Sequence, residues 1–344
     1  MSSVRDVVVI GGSAGAVEAM LRIAEGLPSG LAARLFLVIH VPPTASSVLP
    51  RLLERRSSLQ SRHPQDGEAT SLSIIYVAPP DYHLLVRDGT VAVVRGPREN
   101  GHRPAIDPLF RSAARAYGGR VIAVVLSGNL DDGASGLRAV VNAGGVAIVQ
   151  DPDDAVHPGM PRSALSFVPE ADVVALAGIA ERISALVGSP VGRATREGGG
   201  SDGTAFELPE PGELDVASAT LSEGGKASGF TCPECHGALF EADAAGVPAF
   251  RCRMGHAFSD DSLMGAQSGS VEVALWVAIR ARVEGAELTA RLAERAERRE
   301  ASDAVRSFRQ DQRDYVERAR LVRAALHVSP DAPGHGTDEA RSQA

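Results

Sequence analysis

Lysine is almost absent from this chain: of 35 basic residues only Lys226 is a lysine, and 43 acidic residues bring the net charge to −8. A surface of that sign excludes nucleic acid and anionic membranes as partners, since both require a basic face. Long apolar runs are missing too. None approaches the roughly 18 residues of a membrane helix, and the opening MSSVRDVVVIGG leads into a strand pattern with no charged and apolar leader before it. The expectation is a cytoplasmic protein without direct membrane insertion. Cysteine is scarce: three residues, all between 232 and 252. That odd number excludes a closed disulfide framework and points to metal ligation.

What is present is enough apolar sequence, 44% of 344 residues, for one substantial core and a second, smaller unit. From residue 5 to about 188, short apolar runs alternate with segments of helical period. This predicts an α/β fold, a doubly wound and mostly parallel sheet with helices on both faces. The strands are expected in DVVVIGG, ARLFLVIHV, SIIYVAP, RVIAVVLSG, GVAIVQDP and ADVVAL. In HLLVRDGTVAVV, Asp88-Gly89 signals a two-residue turn and an antiparallel pair attached to that sheet. Residues 190–229, rich in Gly, Pro, Ser and acids, read as a flexible linker, and 329–344 as a disordered tail. Residues 270–328 read as a helical hairpin with a break near Glu300 to Asp303. Its stripes, Trp276, Ile279, Val283, Ala286, Ala290 and Ala293 on one helix and Phe308, Gln312, Tyr315, Ala319, Val322 and Leu326 on the other, are expected to face each other.

The first strand runs into Gly11-Gly12-Ser13-Ala14-Gly15, the pattern of a nucleophile elbow, whose glycines permit a strained turn that projects a serine oxygen. The backbone N–H groups of Ala14 and Gly15, at the start of a helix, are oxyanion donors in that reading. The motif alone reads equally as a phosphate-binding turn. A dinucleotide fingerprint would need glycines where Ser13 and Ala16 stand, and an acid where the second strand ends in His40. His40 ends a strand adjacent to that of Ser13 and can serve as its base. In LSGNLDDGASG a third strand ends before Asp131 and Asp132, one of which is the candidate triad acid while either is a natural cap for the helix that follows.

Cys232-Pro-Glu-Cys235 is followed after sixteen residues by Cys252 and after three more by His256. Two such knuckles on a short hairpin carry the ligands of a tetrahedral zinc site, here a ribbon over residues 230–264. Four protein ligands leave no open position, so the expected zinc is structural and catalysis needs no cofactor. With a linker between ribbon and serine, loss of metal is expected to spare small-ester hydrolysis.

Residues 5 to about 188 resemble the catalytic domain of the CheB chemotaxis protein-glutamate methylesterases, through VVVIGGSAGAVEAM, LFLVIHVPP, YVAPPDYHLLV, HRPAIDPLFRSAA, VVLSGNLDDGASGL and VQDPDDAVHPGMPRSAL in that order. The resemblance implies a triad of Ser13, His40 and Asp132, so it selects Asp132 over Asp131. It also implies the reaction: hydrolysis of glutamate γ-methyl esters on chemoreceptor signalling helices with release of methanol, often with deamidation of receptor glutamines. The alternative is a catalytically weak receptor-binding module. Family members usually carry a receiver domain ahead of this one, and the expectation here is an enzyme not regulated by phosphorylation in cis. The family's usual methionine near the oxyanion is replaced by Asn129, and Arg103 and Asp107 fall in a family-like segment that a salt bridge or helix cap explains equally well. A zinc ribbon and helical pair resembling this one follow some receiver-less members. The hairpin is then expected to bind receptors or to form a homodimer.

Overall fold

The computed structural model describes residues 4–44, 47–191, 226–244 and 247–327. Most of the expected linker and the whole expected tail lie outside them. Among the described residues no helix is long and apolar enough to cross a membrane. The chain divides into two compact units, Met1–Met264 and Gly265–Ala344.

The first unit is built on a seven-stranded parallel sheet of β1 (Val7–Gly12), β2 (Arg34–Ile39), β3 (Gln60–Arg62), β4 (Ile74–Val77), β7 (Val121–Val125), β8 (Val146–Gln150) and β9 (Asp172–Val174), in the order β3-β4-β2-β1-β7-β8-β9. Successive strand residues point to opposite faces, so Val8 and Ile10 join one core layer and Val7 and Val9 the other. Helices α1 (Ala16–Gly26), α2 (Leu49–Arg56) and α6 (Leu176–Leu186) cover the first layer. Helices α3 (Ile106–Tyr117), α4 (Ala134–Asn142) and α5 (Gly159–Phe167) cover the second. The central strands are buried on both faces, which is why they read as unbroken apolar runs.

The predicted hairpin is present as β5 (His83–Arg87) and β6 (Thr90–Val94), but it forms a two-stranded sheet of its own. Its backbone is tied to α3 instead: Val86 N–H donates to Ser112 Oγ and Gly89 N–H to the Tyr117 hydroxyl. A four-stranded antiparallel sheet, β10 (Lys226–Thr231), β11 (Ala238–Ala244), β12 (Val247–Cys252) and β13 (Ala257–Phe258), makes the cysteine-bearing ribbon. Strand β10 starts inside the stretch read as linker. The following helix, α7 (Asp260–Glu297), opens at Asp260 rather than near 270, because Ser259 caps it: its Oγ accepts from Ser262 N–H and its carbonyl from Leu263 N–H.

In the second unit α7 packs against α8 (Ser302–His327). Ile279, Ala286 and Ala293 are buried as expected, and Gly285 lets the Tyr315 ring approach, since a Cβ there would lie 2.6 Å from it. Trp276 and Val283 are half exposed, so the buried stripe of α7 is rotated from the expected one. Apolar residues stand on more than one face of this helix, and the Gly285–Tyr315 contact sets which face is covered.

One charge pair anchors the segment leading into α3. Glu99 and Arg111, both nearly excluded from solvent, meet through two short contacts, Nη1 to Oε1 at 2.6 Å and Nη2 to Oε2 at 2.8 Å. Removing one partner of such a buried pair strands the other. Arg111→Met is therefore expected to lower unfolding free energy by about 3–5 kcal/mol in urea titrations; a loss under about 1 kcal/mol would show that the pair does not anchor this segment.

Candidate active site

Three strand ends meet at the carboxyl edge of the sheet. β1 is flanked by β2 and β7, and Ser13, His40 and Asp132 follow these three strands. This is where the strand order reverses direction and where open α/β sheets leave a crevice.

The turn after β1 is shaped by glycine and by Ser127. Gly15 has φ 79°, and a Cβ there would also fall 2.8 Å from Ser127 Oγ. Ser13 N–H donates to Ser127 O at 2.9 Å, while Ser127 Oγ donates to Ala14 O at 2.8 Å. The turn carrying Ser13 is thereby sewn to the loop after β7. Ala14 and Gly15 complete it before α1 begins at Ala16. A Cβ on Gly128 would meet Met160 Sδ at 2.0 Å and Ser13 Cβ at 2.9 Å, so glycine is required there for the buried Met160 to approach the serine. Asn129, at the position where a methionine was expected, is exposed.

A continuous hydrogen-bonded chain runs through the three residues. His40 Nδ1 lies 3.1 Å from Ser13 Oγ, and His40 Nε2 lies 2.8 Å from Asp132 Oδ2. Asp132 sits at the N-terminus of α3, where its Oδ2 also accepts from Ile106 N–H at 2.7 Å and its Oδ1 from Asp107 N–H at 3.3 Å. Asn100 Nδ2 adds a bond to Oδ1 at 2.9 Å. Burial opposes the ionisation of Asp132, but the hydrogen bond and charge of His40, with the helix N–H groups, outweigh it and hold the carboxyl well below its ordinary value. The His102 ring stacks on His40 at 3.6 Å between centroids. Burial, and then the neighbouring His40, lower the His102 pKa to about 4, so this second imidazole is neutral at physiological pH.

Asp131 and Asp132 do different things, and neither carboxylate caps α4. Its N-cap is Gly133 with φ 98°, and the carboxyl that does bond in its first turn is that of Asp107, which accepts from Gly136 N–H at 2.6 Å. Asp131 Oδ1 instead accepts from Ser259 Oγ and Ser262 Oγ, both at 2.7 Å, at the start of α7. The expected separation of ribbon from serine does not hold either. Residues 98–100 pair with β13, with Ala257 N–H donating to Arg98 O at 3.3 Å and Asn100 N–H to Ala257 O at 2.8 Å. Arg103 pairs with Asp81. Asn100 and His102 are contacts that sequence reasoning passed over. Asn100-Gly101 had the signature of a tight turn, and His102 opens the HRPAIDPLF block, but neither signal says what the side chain reaches.

Cys232, Cys235, Cys252 and His256 converge in the ribbon, with one donor atom of each within 4.8 Å of all the others. Three of the six separations between these atoms are 3.5–3.8 Å, close to the edge length of a tetrahedron with metal–ligand bonds of about 2.0–2.3 Å. The donor set fits a zinc ion.

A family model described as CheB methylesterase matches residues 8–183, just over half of the chain. A Leptospira interrogans protein, provisionally named protein-glutamate methylesterase/protein-glutamine glutaminase, is 37% identical over 177 residues, 51% of this chain and 92% of that one. A Methanosarcina mazei protein, named protein-glutamate methylesterase/protein-glutamine glutaminase 2, is 37% identical over 168 residues and covers 46% of each chain. The crystal structure of the Thermotoga maritima CheB methylesterase catalytic domain superposes with a TM-score of 0.51 at 33% identity, covering 54% of this chain and all of that domain.

The acids around Asn100 predict a pH signature. Asp107 is pushed up to about 8 by burial and by the Asp132 carboxylate, only partly offset by Arg111. A carboxyl that stays protonated when folded but ionises when unfolded contributes stability at low pH and loses it as pH rises to its folded value. Relative to Asp107→Asn, the native protein should lose up to about 1.4 kcal/mol per pH unit between pH 5 and 8 and then level off. Chemical denaturation across that range reads it out, and a gap that does not change with pH would contradict the protonated assignment.

Proposed function

The chain belongs to the CheB methylesterase family, and from that membership we propose that it is a serine hydrolase that cleaves glutamate γ-methyl esters on chemoreceptors, releasing methanol, and deamidates receptor glutamines. The observation that carries this reading is the hydrogen-bonded chain from Ser13 through His40 to Asp132. Asp132 accepts the Nε2–H of His40, which leaves Nδ1 as the basic nitrogen facing the serine. As Ser13 Oγ attacks the ester carbonyl, His40 Nδ1 takes its proton, and Asp132 stabilises the resulting imidazolium. The tetrahedral oxyanion is assigned to the backbone N–H groups of Ala14 and Gly15 at the head of α1. Collapse breaks the bond to the methoxy group, which leaves as methanol with the proton from His40. Water then attacks the acyl-enzyme with His40 again as base, regenerating Ser13 and freeing the glutamate. The same cycle on a glutamine side chain expels ammonia. His102, neutral and stacked on His40, fills the face of the base without competing for its proton.

The ribbon is assigned one structural zinc, held by Cys232, Cys235, Cys252 and His256. The substrate is a protein, the methylated signalling helices of chemoreceptors, met in the cytoplasm. The α7–α8 hairpin is the candidate receptor-binding or homodimer surface. Between the two helices lies a groove lined by Ile279, Val283, Ala286 and Ala290 of α7 and by Val316 and Ala319 of α8.

Ser13→Ala and His40→Ala are each expected to lower methanol release from methylated receptors by about 10⁴-fold or more, since members of one catalytic unit fail together. Near-normal turnover by Ser13→Ala sinks the mechanism. Asp132→Asn should be far more damaging than Asp131→Asn in the zinc-loaded protein, because it alters the hydrogen bond that fixes the His40 tautomer; equal losses would leave the choice of acid without support. Elemental analysis should return about one zinc per chain.

A further inference from the structure

The ribbon does more than sit beside the catalytic layer. His256, a ligand candidate, is followed directly by β13, and β13 pairs with residues 98–100 through the two backbone bonds described above. The next residue, Ser259, donates its N–H to Asn100 Oδ1 at 3.0 Å. That bond decides which way the Asn100 amide faces. With Oδ1 turned to Ser259, the NH₂ group is turned to two carboxyl groups, Asp132 Oδ1 at 2.9 Å and Asp107 Oδ2 at 3.1 Å. A reversed amide would set its carbonyl oxygen against the ionised Asp132 and its NH₂ against the Ser259 N–H. Asn100 is only 6% exposed, so water is poorly placed to stand in for a lost partner.

The neighbouring acid is tied to the same end of the ribbon. Asp131, 5% exposed, receives both of its hydroxyl donors from Ser259 and Ser262, at the end of the ribbon and the start of α7. Its own backbone leads into Asp132. Two residues beyond Asn100, His102 stacks on His40. One segment, Arg98 to His102, thus touches the ribbon on one side and both the acid and the base of the triad on the other.

We infer that the ribbon is a positioning element for the catalytic acid: a metal held by Cys232, Cys235, Cys252 and His256 fixes β13 and Ser259, Ser259 orients Asn100, and Asn100 orients Asp132. This makes Asn100 a positioning residue and makes metal occupancy a determinant of esterase competence. The inference rests on the esterase reading of Ser13, His40 and Asp132.

The test uses the full chain, zinc-loaded, stripped by a high-affinity chelator, and reloaded. It follows the second-order rate constant for labelling of Ser13 by a fluorophosphonate, together with kcat and KM for p-nitrophenyl acetate. Loss of supporting hydrogen bonds around a site typically costs about 10–100-fold. Stripping zinc should slow labelling by about that factor, lowering kcat with KM unchanged, and reloading should restore it. Asn100→Ala, and the isosteric Asn100→Asp, should already be slow with zinc bound and should lose little more on stripping, the non-additivity of groups that act through one another. Asn100 holds the ribbon through the Ser259 bond, so Asn100→Ala should also weaken zinc binding by about fivefold or more in chelator competition. A purely structural Asn100 would lower stability yet keep the full zinc response. Labelling unchanged by stripping overturns the inference while leaving the esterase standing, as does a zinc response in the Asn100 variants as large as in the native chain. A zinc-loaded native chain labelled no faster than Ser13→Ala removes the esterase reading, and this inference with it.

Discussion

A buried carboxylate that stays ionised is the constraint around which the carboxyl edge of the sheet is arranged. Asp132 is 2% exposed, and a bare charge at that depth would take up a proton. It remains an anion because donors surround both oxygens: two N–H groups at the head of α3, the Asn100 amide and the His40 ring. The head of a helix is well suited to this task, since its first N–H groups lack intrahelical acceptors and its dipole favours negative charge. Asp107, on the first turn of the same helix, is driven the opposite way by burial and by the charge already on Asp132. Two carboxyls bridged by one amide are thereby separated in protonation state, the pattern by which a site assigns different roles to like groups.

The sheet order then converts sequence distance into contact. His40 is 27 positions from Ser13 and Asp132 is 92 from His40, yet each pair is within hydrogen-bonding reach. Parallel neighbours share one direction, so β2, β1 and β7 deliver their following loops to the same edge. The apolar residues that bury these strands therefore do chemical as well as structural service: a register slip in β1 would move Ser13 away from both partners and exchange its two core faces. Ser127 adds fine control, since it accepts from Ser13 N–H through its carbonyl and donates to Ala14 through its hydroxyl.

What was legible in the sequence follows the range of the interactions involved. The five well-buried strands, the glycine-flanked turn at Ser13, His40 at a strand end and the cysteine spacing all announce themselves within a few residues, because burial on two faces, turn geometry and the pairing of knuckles each leave a local pattern. Choosing Asp132 over Asp131 needed the family resemblance, since both acids stand at the same strand end. Strand β3 has three residues with one buried side chain, too little to make a period. The β5–β6 hairpin was legible as a hairpin, but its partner was not, because Ser112 and Tyr117 of α3 hold it through long-range bonds. Asn100, His102 and the true role of Asp131 were hidden for the same reason. Their partners are up to 159 residues away, across a stretch whose composition reads as a spacer.

That last group of contacts also bears on why the seam between ribbon and catalytic layer is polar. Two layers joined only for stability are served well by apolar packing, and burying charges there brings a desolvation cost that hydrogen bonds only offset. Here the seam holds Glu99 with Arg111, Asn100 with three partners, and Asp131 with two serines, all nearly buried. An apolar seam tolerates sliding. A hydrogen-bonded one does not, since each bond is lost within a fraction of an ångström and a donor facing a donor is worse than no contact. Such a seam has little latitude between docked and undocked, and its docked state specifies the orientation of one amide next to Asp132. The polar cost is intelligible if orientation at Asp132, rather than adhesion of the ribbon, is what the seam supplies.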